Sequence, residues 1–243
     1  MNKILTALSL SCAVLACSPL QAAWQGNWLV GASGGYTTDR GELEITMLDN
    51  GRQTVTNRRV KDHGWLLGLL GGYQVKCNHW LLGAELNLDW YDLDNDDDGE
   101  RTLAFTDTSN NGWNAASTYE REWVVGLTGR MGYEIATYLM PYVRAGLEWS
   151  DDELSYIQTS NNNVVTAQGD GSQDSLRLIA GIGAEIPFPM VDGLSMRVEY
   201  DYHAKGKRVD LDAAAAGNQN PLFVHASRKP YTQTGIISVV WNI

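Results

Sequence analysis

The sequence is poor in cysteine, in long apolar runs and in positive charge. Three cysteines occur among 243 residues, and two of them, Cys12 and Cys17, fall within the first 22. Beyond that point only Cys77 remains, which excludes an internal disulfide framework. Downstream of the leader no run of about 18 apolar residues occurs, which excludes a transmembrane helix. Lysine and arginine total 18 against 29 aspartates and glutamates, a formal net charge of −11. That balance excludes nucleic acid, whose partners present a basic surface. His63, His79 and His203 stand isolated and suggest no metal cluster.

What is present begins with the leader, MNKILTALSLSCAVLACSPLQAAW. Lys3 supplies a positive start, Ile4 to Cys17 an apolar stretch too short to span a bilayer, and the region around Ala22 a small-residue cleavage site. Residues 1–22 read as a secretory signal peptide and 23–243 as one exported domain. Val14-Leu15-Ala16-Cys17 also resembles a lipoprotein box, which would lipidate Cys17. The later cleavage site is the preferred one.

The stretch HWLLGAELNLDWYDLDNDDDGE, from His79 to Glu100, shows the pattern of the rest. Trp80, Leu82, Ala84, Leu86, Leu88 and Trp90 share one parity. Gly83, Glu85, Asn87 and Asp89 share the other, and then an acidic run begins. Seven further segments alternate with the same period of two, the period of a strand. Their apolar parities start at Trp28, Trp65, Trp123, Pro141, Leu176, Leu194 and Tyr231. The second is the least regular, since Leu66 and Leu70 sit on its polar parity.

A soluble sandwich also alternates, but two features argue for a bilayer. The polar parity repeatedly sets arginine against glutamate, as in Arg144/Glu148, Arg177/Glu185 and Arg197/Glu199, while the apolar parity is nearly free of charge. Aromatics bracket the apolar parity as Trp28/Tyr36, Trp65/Tyr73, Trp80/Trp90 and Trp123/Tyr133, with Trp149 and Trp241 added. Amphipathic rings take such places at the two membrane interfaces. From Trp80 to Trp90 is about 33 Å along a strand, or roughly 25 Å of membrane depth at a tilt near 40°.

The links between segments alternate in length. Val75 to His79, Glu134 to Leu139 and Pro187 to Gly193 are short; Thr37 to Gly64, Tyr91 to Arg121, Asp151 to Asp174 and Ala204 to Arg228 are long and polar. Short periplasmic turns and long outer loops are the asymmetry of bacterial transmembrane barrels. Backbone groups in lipid must all be paired, so the sheet must close. The expected fold is all-β: an eight-stranded antiparallel up-and-down transmembrane β-barrel with four long extracellular loops.

These features resemble the small eight-stranded outer-membrane barrels of the OmpA transmembrane-domain and opacity-protein kind, from about Trp24 to Ile243. The ending IISVVWNI resembles the sorting signal read by the barrel-assembly machinery, with Trp241 as its aromatic and Ile243 where the family usually has phenylalanine. The resemblance implies residence in the bacterial outer membrane and contact with its lipid and lipopolysaccharide. No peptidoglycan-binding domain is expected.

An eight-stranded bore is narrow enough for side chains to fill. Glu85, Arg130, Arg144, Glu148, Arg177, Glu185, Arg197 and Glu199 are expected inside as a self-satisfying ion network. The functional alternative is a narrow porin-like channel for ions or small solutes. Asp49-Asn50-Gly51 predicts a tight hairpin that carries two strands past the membrane, and LSYIQTSNNNVVTAQ reads similarly. Asp94, Asp96, Asp98 and Gly99 match the first half of a calcium loop, but Phe105 stands where the closing glutamate belongs. No cofactor is expected beyond weak calcium there.

The last loop is basic, with Lys205, Lys207, Arg208, Arg228 and Lys229 placed to meet lipopolysaccharide phosphates or the acidic loops. His225-Ala226-Ser227 resembles the His-x-Ser of barrel deacylases, but no acidic residue downstream orients the histidine. The sequence reads as a non-enzymatic envelope protein that interacts through its loops, by adhesion, host-factor binding or lipopolysaccharide contact. A lipid-modifying enzyme is the third reading.

Overall fold

The computed structural model describes residues 25–49, 52–92, 113–160, 164–215 and 223–243. The leader and Asp94, Asp96 and Asp98 lie outside the described residues. The described chain forms β1 (Gln25–Asp49), β2 (Arg52–Cys77), β3 (Trp80–Asp92), β4 (Trp113–Glu120), β5 (Trp123–Tyr133), β6 (Met140–Ser160), β7 (Val165–Pro187), β8 (Leu194–His203), β9 (Val209–Ala215), β10 (Phe223–Arg228) and β11 (Tyr231–Asn242). Eight of these close a ring in the order β1-β2-β3-β5-β6-β7-β8-β11, with β11 pairing back onto β1 from Leu29↔Asn242 to Arg40↔Tyr231. All pairings are antiparallel, so the ring leaves no open edge in lipid.

The strict alternation of β5 becomes alternate exposure: Val125, Leu127 and Met131 face outward, while Val124, Thr128 and Arg130 are buried. The aromatics pair across neighbouring strands rather than standing alone. Trp28 opposes Tyr73 and Trp80 opposes Tyr133 near the short turns, with ring centroids 5.1 and 4.9 Å apart. Tyr36 opposes Trp65 and Trp90 opposes Trp123 at the other rim, at 5.4 and 5.2 Å. Trp149 and Trp241 are exposed on the same outer wall. These edge-to-face and tilted contacts fix the rings at the depth where their polar atoms reach water.

The irregular second segment has a physical reason. Leu66 and Leu70 point inward, Leu66 with Tyr91, Val124 and Ile236, Leu70 with Leu29 and Val240. The inward parity thus carries apolar contacts as well as charges. At the turns, Asn78 adopts φ 55° and Gly193 φ 78°, left-handed positions that asparagine and glycine accept. Lys76 and Glu134 tie two short turns together at 2.6 Å.

Among the described residues the long connections are largely strand. β1 and β2 stay paired from Gln25↔Lys76 to Asp49↔Arg52; Asn50-Gly51, where the sequence predicts the hairpin turn, lies outside the described residues. β6 and β7 likewise continue, with one register shift at Gln158/Thr159. β4 adds to β6, β9 to β7, and β10 joins β9 to β1. Above the outer rim the sheet order is therefore β4-β6-β7-β9-β10-β1-β2.

Candidate functional site

The inward parity builds two storeys, one ionic and one apolar. At the lower end Arg130 reaches Glu185 at 2.6 Å and lies 3.3 Å from Glu85; Arg197 reaches the same two acids at 3.0 and 2.9 Å. Four charges thus close a square, because β5, β8, β3 and β7 each send one side chain to the same level of the bore. Gln74 and Ser195 complete it, at 2.6 Å from Arg130 and 2.8 Å from Glu185. One level up, Arg144 pairs with Glu199 at 2.6 Å and faces Asp201 at 3.4 Å, and Tyr142 donates to Glu199. Next, Glu148 accepts from Arg121 at 2.5 Å and lies 2.6 Å from His203 Nδ1. Asp152 accepts from Arg177.

At the rim, Arg228 donates to Asp39 and Asp62 at 2.9 and 2.6 Å, and Thr232 donates to Asp39 at 3.1 Å. Burial pushes the Asp39 carboxyl above its ordinary range, against the pull of Arg228. The Arg228 guanidinium lies 4.5 Å over the Tyr119 ring, where the second storey begins. There Leu43, Ile45, Leu154, Tyr156, Val209, Leu211, Val224 and their neighbours form one dry core inside the extension. Each is at most 2 % exposed, and this core lies above the charges.

All eight charges expected in the bore, Glu85, Arg130, Arg144, Glu148, Arg177, Glu185, Arg197 and Glu199, are buried there. Two of the charges assigned to loops are not on the surface. Arg228 is buried under the rim and paired, so it meets no external phosphate; Asp152 is buried beside Arg177. Asp152 lies on β6, which runs past the membrane with unbroken parity, and Arg228 ends β10, which pairs with β9 and β1 above the rim. His203, isolated in sequence, sits between Glu148 and Thr234, its Nε2 3.0 Å from the threonine hydroxyl. Arg121 was missed altogether. It lies between strands, where no alternation reports its direction.

His225 does find an acidic partner, from upstream: Asp212 of β9 lies 2.8 Å from Nδ1, and Asp210 lies 3.7 Å from Nε2. Both ring nitrogens thus face carboxylates, and Ser227 is buried. Among the described residues no group of histidines, cysteines and carboxylates is arranged to hold a metal.

A closed, girdled, ion-filled barrel defines an integral protein of the outer membrane. The chain matches the outer membrane protein beta-barrel domain family over residues 8–228, and it belongs to that family. It resides in the bacterial outer membrane. Among solved structures it is similar to OprG of Pseudomonas aeruginosa, with 12% identity over 90% of this chain and 97% of that one and a TM-score of 0.43. It is similar to Ail, the attachment invasion locus protein of Yersinia pestis, with 12% identity, coverages of 83% and 98% and a TM-score of 0.32. The outer membrane protease OmpT of Escherichia coli gives 7% identity, coverages of 89% and 97% and a TM-score of 0.44. No curated protein matches the sequence.

Proposed function

We propose that this protein is a non-enzymatic, non-conducting envelope barrel whose extracellular sheet is a recognition surface. The observation that carries this reading is the closed interior. Buried ion pairs fill the span, and the apolar core from Leu43 to Ala226 lies above them. An ion crossing the bore would have to break several charge pairs and then enter a dry cluster, each step costing several kcal/mol. The burial of Ser227 beside His225 supports the non-enzymatic reading, because a nucleophile must be reached by its substrate.

What remains for function is the sheet outside the membrane, which among the described residues is built from paired strands. Its partners on this reading are surface ligands, whether host factors or the lipopolysaccharide around it; the barrel-assembly machinery acts earlier, through the terminal strand. Planar-bilayer recording tests the closed interior. The folded protein is expected to give no steady openings at any voltage that the bilayer survives. Stable, ohmic conductance would establish the narrow-channel alternative instead.

A further inference from the structure

The chain's positive charge is divided with unusual economy. Of its 18 lysines and arginines, six arginines are buried inside: Arg121, Arg130, Arg144, Arg177, Arg197 and Arg228. Six more line a single external cleft of about 560 Å³: Arg40, Arg59, Lys61, Lys205, Arg208 and Lys229. Two carboxylates, Glu42 and Glu44, share the cleft. Only Arg59 approaches one of them, at 3.8 Å from Glu42 and with 91% of its side chain exposed. Among the described residues the other five cations have no ion-pair partner. On a protein of net charge −11, this is a concentrated positive site.

The register makes the site costly when empty. Arg40 lies directly opposite Lys61 across the β1–β2 ladder, and opposite Tyr231 across β1–β11. Like charges facing each other across strands destabilise a sheet unless an anion bridges them. Depth then selects the anion. Arg40 lies four residues beyond Tyr36 on the outward parity, and Lys61 four residues before Trp65, while Tyr36 and Trp65 oppose each other at the outer rim. Four residues rise about 13 Å along a strand, roughly 10 Å above the girdle after tilt. That is the headgroup layer of the outer leaflet. Tyr231, whose ring lies 6.1 Å from Tyr202, offers an aromatic edge to a sugar at the same level.

We propose that this cleft binds the phosphorylated sugar headgroup of lipopolysaccharide in the surrounding leaflet. Lysines and arginines take the phosphates through charge-assisted hydrogen bonds. The proposal rests on the recognition role given above and names its ligand and place.

The test uses the full barrel in phospholipid nanodiscs, titrated with lipopolysaccharide, with enzymatically dephosphorylated lipopolysaccharide, with inorganic phosphate and with a soluble sulfated polysaccharide. The variant Arg40→Gln/Lys61→Gln/Lys205→Gln is compared with Lys76→Gln at the opposite end, and heat-modifiable gel migration checks that each has folded. Lipopolysaccharide is expected to bind the wild type and Lys76→Gln equally, and the triple variant at least about tenfold more weakly. Dephosphorylation is expected to cost the wild type a similar factor and the triple variant little. Equal binding of the dephosphorylated lipid, an unaffected triple variant, displacement by equimolar inorganic phosphate, or tighter binding of the sulfated polysaccharide each overturns the proposal. Conductance recorded in parallel reports on the closed interior alone, so the two readings fail separately.

Discussion

Arg228 on β10 donates to Asp62 on β2 at 2.6 Å, joining strands 166 residues apart across the mouth of the barrel. The same guanidinium nitrogen serves Asp39 of β1 at 2.9 Å. Arg228→Met leaves two buried carboxylates facing each other without a cation. The expected cost is about 3–5 kcal/mol of stability. Adding Asp39→Asn and Asp62→Asn is expected to return most of it, because neutral amides need no counter-charge. Urea-induced unfolding from phospholipid vesicles reads both changes; a single variant as stable as the wild type would show the rim triad to be incidental.

The second prediction concerns strand approach. A Cβ on Gly146 would lie 2.1 Å from the Leu127 carbonyl oxygen and 2.6 Å from the Thr128 Cα, both backbone atoms. Neither can swing aside, so Gly146→Val must push β6 away from β5 and open the ladder within the membrane, where each unpaired backbone group is expensive. The expected outcome is a large loss of the heat-modifiable folded band when the protein is refolded from urea. Wild-type folding yield would contradict the close approach.

Much of this fold was legible because one face meets lipid. On β5 and β8 a period of two leaves no choice of direction, and arginines and glutamates on the polar parity had to turn inward. Legibility failed where that contrast weakens. Leu66, Leu70, Ile236 and Val240 are apolar yet inward, since the bore also needs packing between its ion pairs. Past the girdle the outside is water, so both faces accept polar residues, and Asp39, Asp62, Asp152 and Arg228 read as loop charges. The apolar core of the extension was hidden for a further reason. It draws on β4, β6, β7, β9, β10 and β1, segments whose meeting depends on the pairing of β10 with β1.

That core gives a third prediction. Leu154 is fully buried among the extension's apolar side chains. Leu154→Ala is expected to cost about 2–5 kcal/mol locally. The loss should fall on the extension and spare the span, because the two interiors are separate storeys. Limited proteolysis of the protein in nanodiscs reads this: cleavage above the outer girdle should accelerate, while the membrane-spanning fragments stay protected. Uniform destabilisation of the whole barrel would show that the storeys unfold as one.

The aromatic girdle yields a fourth. Trp28 and Tyr73 oppose each other across β1–β2 with centroids 5.1 Å apart in an edge-to-face contact. A double-mutant cycle of Trp28→Leu and Tyr73→Leu, followed by unfolding from vesicles, is expected to give a coupling of about 0.5–1.5 kcal/mol. A coupling near zero would mean that each ring is held by the interface alone.

The central claim is directional: within one strand, neighbouring apolar residues face lipid and lumen in turn. Methyl NOE spectroscopy of the folded protein in nanodiscs tests it without mutation, using the adjacent pairs Leu66/Leu67 and Val239/Val240. Leu67 and Val239, exposed on the outer wall, are predicted to show cross-peaks to lipid acyl protons, and Leu66 and Val240, buried inside, to show none. Acyl cross-peaks at Leu66 and Val240, or bulk-water cross-peaks at Leu67 and Val239, would contradict the account.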